Sequence, residues 1–222
     1  MKVFPRLRLK RRCLVFAPLA YLKFQFLCHA GPTEVGAFAV SSLQRPLYIE
    51  ELHTLPQTTS PGTVEFHDKA VADYFDQCVD RGMQPAQFFR LWLHTHPGDS
   101  AEPSGTDEET FQRVFGTTDW AVMAILSREG RSYARMRLNV GPGASCRLRW
   151  RVDWASWPEE LNAHSLQYLH DAWQEEYLRN IRPSVPHTVP HHTGMYWNSQ
   201  LLADLDNWHS LSTHGDSHDV FS

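Results

Sequence analysis

The chain has 222 residues, 42% hydrophobic and 21% charged, which suffices for a sizeable buried core and excludes a fibrous or wholly disordered protein. Its 21 Lys and Arg against 25 Asp and Glu give a formal charge of -4, a balance that argues against a nucleic-acid coat and against a polybasic membrane binder. The four cysteines, Cys13, Cys28, Cys78 and Cys146, form no Cys-x-x-Cys pair, so a zinc ribbon and a thioredoxin-like dithiol are both excluded, and reduced thiols in a cytoplasmic setting are expected.

In chain order, Lys10-Arg11-Arg12 followed by the apolar residues 13–17 imitates the start of a signal peptide, but Lys23 and Gln25 interrupt an apolar stretch already too short to span a bilayer. From Pro18 to about His29, Leu19, Leu22 and Phe26 recur at helical spacing, and Gly31-Pro32 ends the run. Residues 34–40 and 47–52 read as strands, with Pro46, Pro56 and Ser60-Pro61-Gly62 as punctuation. Val71, Tyr74, Phe75, Cys78 and Val79 make one apolar face and predict a helix from about Asp68 that stops at Gly82. Phe88 to Leu93 is a strongly apolar strand running straight into His94-Thr95-His96-Pro97. Ser104 to about Phe115 is expected to be helical, and residues 120–127 and 132–140 to form a hairpin turned at Glu129-Gly130, with a further strand over 147–152.

Ser156 and Glu159 have the spacing of a capping box, opening a helix whose apolar line is Leu166, Leu169, Trp173, Tyr177 and Ile181. Beyond it, Pro183, Pro186 and Pro190 introduce a Pro- and His-rich tail, residues 183–222, with no sustained period. Strands and helices mixed in this way predict an α/β (α+β) single domain, a mixed β-sheet flanked by helices, without the Gly-rich first turn of a dinucleotide-binding fold.

Residues two apart on a strand point to the same side, so His94 and His96 present two imidazoles in one direction at the strand's end. A catalytic zinc typically takes three protein ligands and leaves a fourth position to water, so a third ligand is required. The best supplier is Asp107, in the first turn of the following helix, with Ser104 one turn before it. Taken alone, Ser104-Gly105-Thr106-Asp107 reads as a capping box and His-x-His as a surface or packed pair. Their order and closeness point instead to a metal centre. His29, His53, His67, His164 and His170 are isolated and read as surface or core residues, while His187, His191, His192, His209, His214 and His218 concentrate in the tail.

These residues resemble the JAB/MPN metalloproteases with the JAMM motif, whose pattern is an upstream Glu, then His-x-His-Pro, a short spacer and Ser-x-x-Asp. Here the match is His94-Thr95-His96-Pro97, the six residues 98–103, then Ser104-Gly105-Thr106-Asp107, with Glu34-Val35-Gly36 upstream. The resemblance covers roughly residues 12–155 and implies a JAB/MPN core there; the helix expected over 156–182 follows it. It implies one zinc ion held by His94, His96 and Asp107, Glu34 as general base, and Ser104 as donor to the developing oxyanion. Where the family often has further glycines after Gly36, this chain has Ala37, Phe38 and Ala39, and no long insertion follows Asp107.

The resemblance further implies a zinc isopeptidase or endopeptidase cleaving after the C-terminal Gly of a ubiquitin-like protein or its conjugates. The compact layout looks like the bacterial branch that accompanies such modifiers and their activating and conjugating enzymes. A non-catalytic scaffold of the same fold and a metal-dependent hydrolase of a small amide are the alternatives. Neither nucleic acid nor a membrane is an expected partner, and an extended tail ending in small residues is the expected shape of substrate.

Overall fold

The computed structural model describes residues 13–184. Segments 1–12 and 185–222, which include Lys10-Arg11-Arg12 and all six tail histidines, lie outside the described residues. The described chain is a mixed α/β fold of twelve strands and five helices. Its centre is a six-stranded mixed sheet in the order β10-β9-β8-β7-β2-β4, formed by Ala144–Arg147, Ser132–Leu138, Trp120–Ser127, Leu91–His96, Gly36–Val40 and Glu51–His53 respectively.

Strand β8 shows why a sheet stands at the middle. Its run Ala121 to Leu126 is apolar at every position, which suits a strand buried on both faces. Val122, Ala124 and Leu126 join one core with Ala20, Phe24 and Cys28 of α1 (Pro18–His29). Ala121, Met123 and Ile125 join the other with Phe111 and Phe115 of α4 (Gly105–Phe115), against which Val71 and Tyr74 of α2 (Asp68–Asp80) also pack. The apolar stretch after Arg12 is strand β1 (Cys13–Phe16), which lies parallel between β3 (Tyr48–Ile49) and β11 (Arg149–Val152) with Leu14 and Phe16 fully buried. Cys28, Cys78 and Cys146 are free thiols, and no helix among the described residues is long and apolar enough to cross a membrane.

Several boundaries differ from the sequence expectations. The segment 47–52 is split, because the chain crosses between sheets at Glu50: β3 pairs with β1, while β4 pairs with β2. The segment 147–152 is divided likewise, β10 ending at Arg147 and β11 starting at Arg149, with buried Leu148 as the crossing residue. Phe88 does not begin a strand. Gln84 caps a short helix, α3 (Pro85–Phe88), with Pro85 in its first turn, and β7 starts only at Leu91.

The capping box expected at Ser156 does not form, because Ser156 Oγ donates instead to the Asp153 carbonyl and lies 3.1 Å from Tyr48 Oη. Asn162 caps the helix in its place, accepting from the Ser165 N–H, and α5 spans Ala163–Asn180. Ile181 leaves that helix to open strand β12 (Ile181–Pro183), which pairs in parallel with β5 (Gln57–Ser60). With β6 (Thr63–Phe66) these form a third small sheet that the sequence did not predict.

Helix α5 is tied to the body by buried polar groups. Lys23 Nζ of α1 donates to Glu176 Oε2 at 2.5 Å and to the Leu52 carbonyl at 2.7 Å. Glu176 Oε1 accepts from both the N–H and the hydroxyl of Thr54, and the Asn180 amide donates to the Thr54 carbonyl. Lys23, which interrupts the apolar pattern of α1, is therefore a buried anchor.

Candidate metal centre

Strand β7 delivers His94 and His96 from the middle of the sheet, flanked by antiparallel β2 and parallel β8. Buried His94 stacks on Trp92 with ring centroids 4.5 Å apart, which fixes the plane of its imidazole. The His96 ring follows 5.1 Å away at 50°. Helix α4 starts directly below, so that Asp107 Oδ1 lies 3.1 Å from His94 Nε2 and Oδ2 lies 3.6 Å from His96 Nε2.

The capping box at the start of α4 does form, and it orients the carboxylate. The N–H and hydroxyl of Ser104 both donate to Asp107 Oδ2, at 2.7 and 2.8 Å, while the Asp107 N–H donates back to Ser104 Oγ at 3.2 Å. The helix-start reading and the metal-ligand reading of these residues are thus one arrangement.

Glu34 comes from the chain just before β2. Gly36 pairs with His94 in antiparallel register, which sets Glu34 across from His96, and Glu34 Oε1 lies 3.6 Å from His96 Nε2. The neighbouring turns are tied together by Arg128, whose backbone N–H donates to the carbonyls of His96 and Gly98 and whose guanidinium donates to the Gly31 carbonyl.

The other nitrogen of His96 assigns its tautomer. Nδ1 lies 2.9 Å from the Ser100 carbonyl, an acceptor only, so Nδ1 carries the proton and the Nε2 lone pair faces Asp107 and Glu34. Burial drives the His94 pKa down and keeps that ring neutral. For His96 burial acts in the same direction, but Asp107, the Ser100 carbonyl and Glu34 outweigh it and raise the pKa. Burial also opposes ionisation of Asp107, yet the two imidazoles and the Ser104 N–H hold its carboxyl well below the usual range. Burial pushes Glu34 up to about 8, with His96 opposing and Asp107 adding to the rise.

Both ring nitrogens of His94, Nε2 of His96 and Oε2 of Glu34 are buried without a hydrogen-bond partner among the described residues. Leaving such groups unsatisfied costs about 1–3 kcal/mol each, and a cation relieves it at the one nitrogen of each imidazole that carries a lone pair. His94, His96 and Asp107 each offer one ligand atom, all within 4.8 Å of one another, and so form a group able to hold a metal ion. No protein-family model matches this chain, and no match is found among curated proteins.

The five residues singled out from the sequence, Glu34, His94, His96, Ser104 and Asp107, lie together. His53 instead contacts Glu51 and packs near Tyr74, and His67 meets Thr58 ahead of α2. Sequence reasoning missed the groups that hold the site: the Ser100 carbonyl, Thr95, Gln57 and Arg128. Thr95, Gln57 and Arg128 act on backbone atoms and the Ser100 carbonyl is one, and only the fold specifies which atoms meet.

Proposed function

We propose that the protein is a zinc metallopeptidase of the JAMM type, cleaving after the C-terminal Gly of a ubiquitin-like protein or its conjugates. The observation that carries this reading is the convergence of two imidazoles and one carboxylate on a common point, with a second, separate carboxylate, Glu34, facing them. Three nitrogen and oxygen ligands leaving one position open is the donor set of a catalytic zinc site. His94, His96 and Asp107 would hold that zinc, and its chemistry there would be to lower the pKa of a bound water from about 15.7 toward about 7.

Glu34 makes no hydrogen bond through Oε2, and burial makes its carboxylate more basic than an ordinary one, so the ionised form is suited to take a proton and return it to the departing amine. The Ser104 hydroxyl, which donates to Asp107, serves the developing oxyanion by turning its proton from one oxygen acceptor to another. His96 is kept from swinging by its bond to Ser100, and His94 by its stack on Trp92.

The substrate class is supported by the hairpin of β5 and β6. Its Ser60 carbonyl accepts from the Glu34 N–H, and among the described residues β6 is an edge strand of its sheet, the kind of edge to which an extended peptide adds. A tail ending in glycine has no side chain to collide with the buried ligands. Such an activity belongs with the enzymes that activate and conjugate the same modifier. The experiment is cleavage of a ubiquitin-like protein fused through Gly-Gly to a reporter, run beside a small-molecule amide with zinc-loaded protein. Release after the terminal glycine, abolished in His94→Ala, supports the reading; hydrolysis of the small amide alone contradicts it.

A further inference from the structure

The three consecutive N–H groups of Glu34, Val35 and Gly36 have three different acceptors, none of them a regular sheet partner. Glu34 donates to the Ser60 carbonyl at 2.9 Å, in the turn of the β5–β6 hairpin. Val35 donates to the side-chain hydroxyl of Thr95 at 3.0 Å, while Thr95 returns its own N–H to the Val35 carbonyl at 3.0 Å. Gly36 donates to Gln57 Oε1 at 2.8 Å, and Gln57 Nε2 donates to the Gly36 carbonyl at 2.9 Å. A primary amide thus takes the place of a neighbouring strand's peptide group. Val35 and Gln57 are completely buried and Thr95 is 1% exposed, so water offers no substitute acceptor.

From this geometry we infer that Thr95 and Gln57 are positioning residues for Glu34. Regular pairing of β2 with β4 and β7 begins only at Phe38 and Gly36 respectively, so Glu34 lies beyond the ladder. Continued by side chains beyond its regular ladder, β2 holds Glu34 across from His96. Thr95 is suited to this because residues alternate along β7: with His94 and His96 committed to one face, Thr95 points away from the metal centre and is free to bond Val35. A threonine between the two histidines therefore couples the element bearing the metal ligands to the element bearing the carboxylate. Gln57 locks the opposite side.

This inference rests on the proposed activity for its kinetic consequence, but it has a separate structural readout. In the full-length protein, Thr95→Val keeps the side-chain shape and removes the acceptor, and Thr95→Ser restores it. Bound zinc, amide exchange at Val35, and kcat and KM on the ubiquitin-like fusion are measured for each. Thr95→Val is expected to keep its zinc, exchange the Val35 amide at least about tenfold faster, and lose kcat about tenfold or more with KM unchanged. Thr95→Ser is expected to recover both. If the valine variant does not fold, Thr95→Cys, a weaker acceptor, takes its place with an intermediate effect. Wild-type exchange at Val35, or wild-type kcat, in a variant lacking the hydroxyl overturns the inference. A wild type that binds zinc and cleaves no fusion refutes the proposed activity, and the exchange comparison alone then decides whether Thr95 holds this segment.

Discussion

Glu34 and Asp107 are buried carboxylates within one site, yet their surroundings drive them apart. Asp107 accepts from Ser104 and lies beside both imidazoles, so it stays ionised and suits ligation. Glu34 has an oxygen with no partner, and burial raises its pKa, so it suits proton transfer. Glu34→Gln is accordingly expected to bind zinc normally and lose turnover by about a hundredfold or more, read from metal content and rate on the same sample. Ser104→Ala removes the cap of α4 as well as a donor. It should lower unfolding stability by about 0.5–2 kcal/mol in urea and reduce turnover less than Glu34→Gln does. The grouping of His94, His96, Ser104 and Asp107 was legible in the sequence because their spacing brings them together through one strand, one loop and one helix start. Nothing in the sequence announces Thr95, Gln57 or Arg128, since each acts on a backbone atom whose identity depends on register.

Elements with a strong apolar period and a defined stop were equally legible. Helix α2 ends where Gly82 takes φ +77°, and the β8–β9 hairpin turns at Gly130 with φ +78°. The β5–β6 hairpin was not, because Gln57, Thr58, Thr59 and Ser60 show no apolar alternation even though Gln57 and Thr59 are buried. Polar side chains line that strand because they satisfy groups on neighbouring elements, Gln57 at Gly36 and Thr59 at Thr33. This packing makes Gly36 a demanding position: a Cβ there would come within 2.6 Å of Phe66 and 2.7 Å of Val64. Gly36→Ala is expected to displace the hairpin and destabilise the fold by about 1–3 kcal/mol in denaturant titrations, with the metal ligands still able to bind zinc.

The docking of α5 has its own signature. Burial opposes ionisation of Glu176, but Lys23 and Thr54 lower its pKa below the ordinary carboxylate value, so the stabilisation is complete above about pH 4.5 and lost as the pH falls through the lowered value. Glu176→Ala, which leaves Lys23 buried without its partner, is expected to cost about 3–5 kcal/mol at neutral pH. The difference from wild type should shrink as unfolding is followed into acid. A constant difference down to the lowest pH would remove the ion pair from the explanation.

Across the whole molecule, the sheet sets one histidine pair at the end of a buried strand, and the layers on either side bring the two carboxylates to it. α4 supplies Asp107 from one layer, while the turn after α1 supplies Glu34 from the other. Because the ligands come from separate elements, a bound ion links them and should stabilise the native state. At a hundredfold excess over its dissociation constant it adds about 2.7 kcal/mol, seen as a rise in Tm that a chelator reverses. The most direct measurement is anomalous diffraction at the zinc edge from crystals of the full chain grown with zinc. A single strong peak is expected about 2.0–2.2 Å from a ring nitrogen of His94, from His96 Nε2 and from a carboxylate oxygen of Asp107, with Glu34 outside ligation distance. Zinc bound only elsewhere, or ligated by Glu34 in place of Asp107, would contradict the metal centre on which the proposed activity depends.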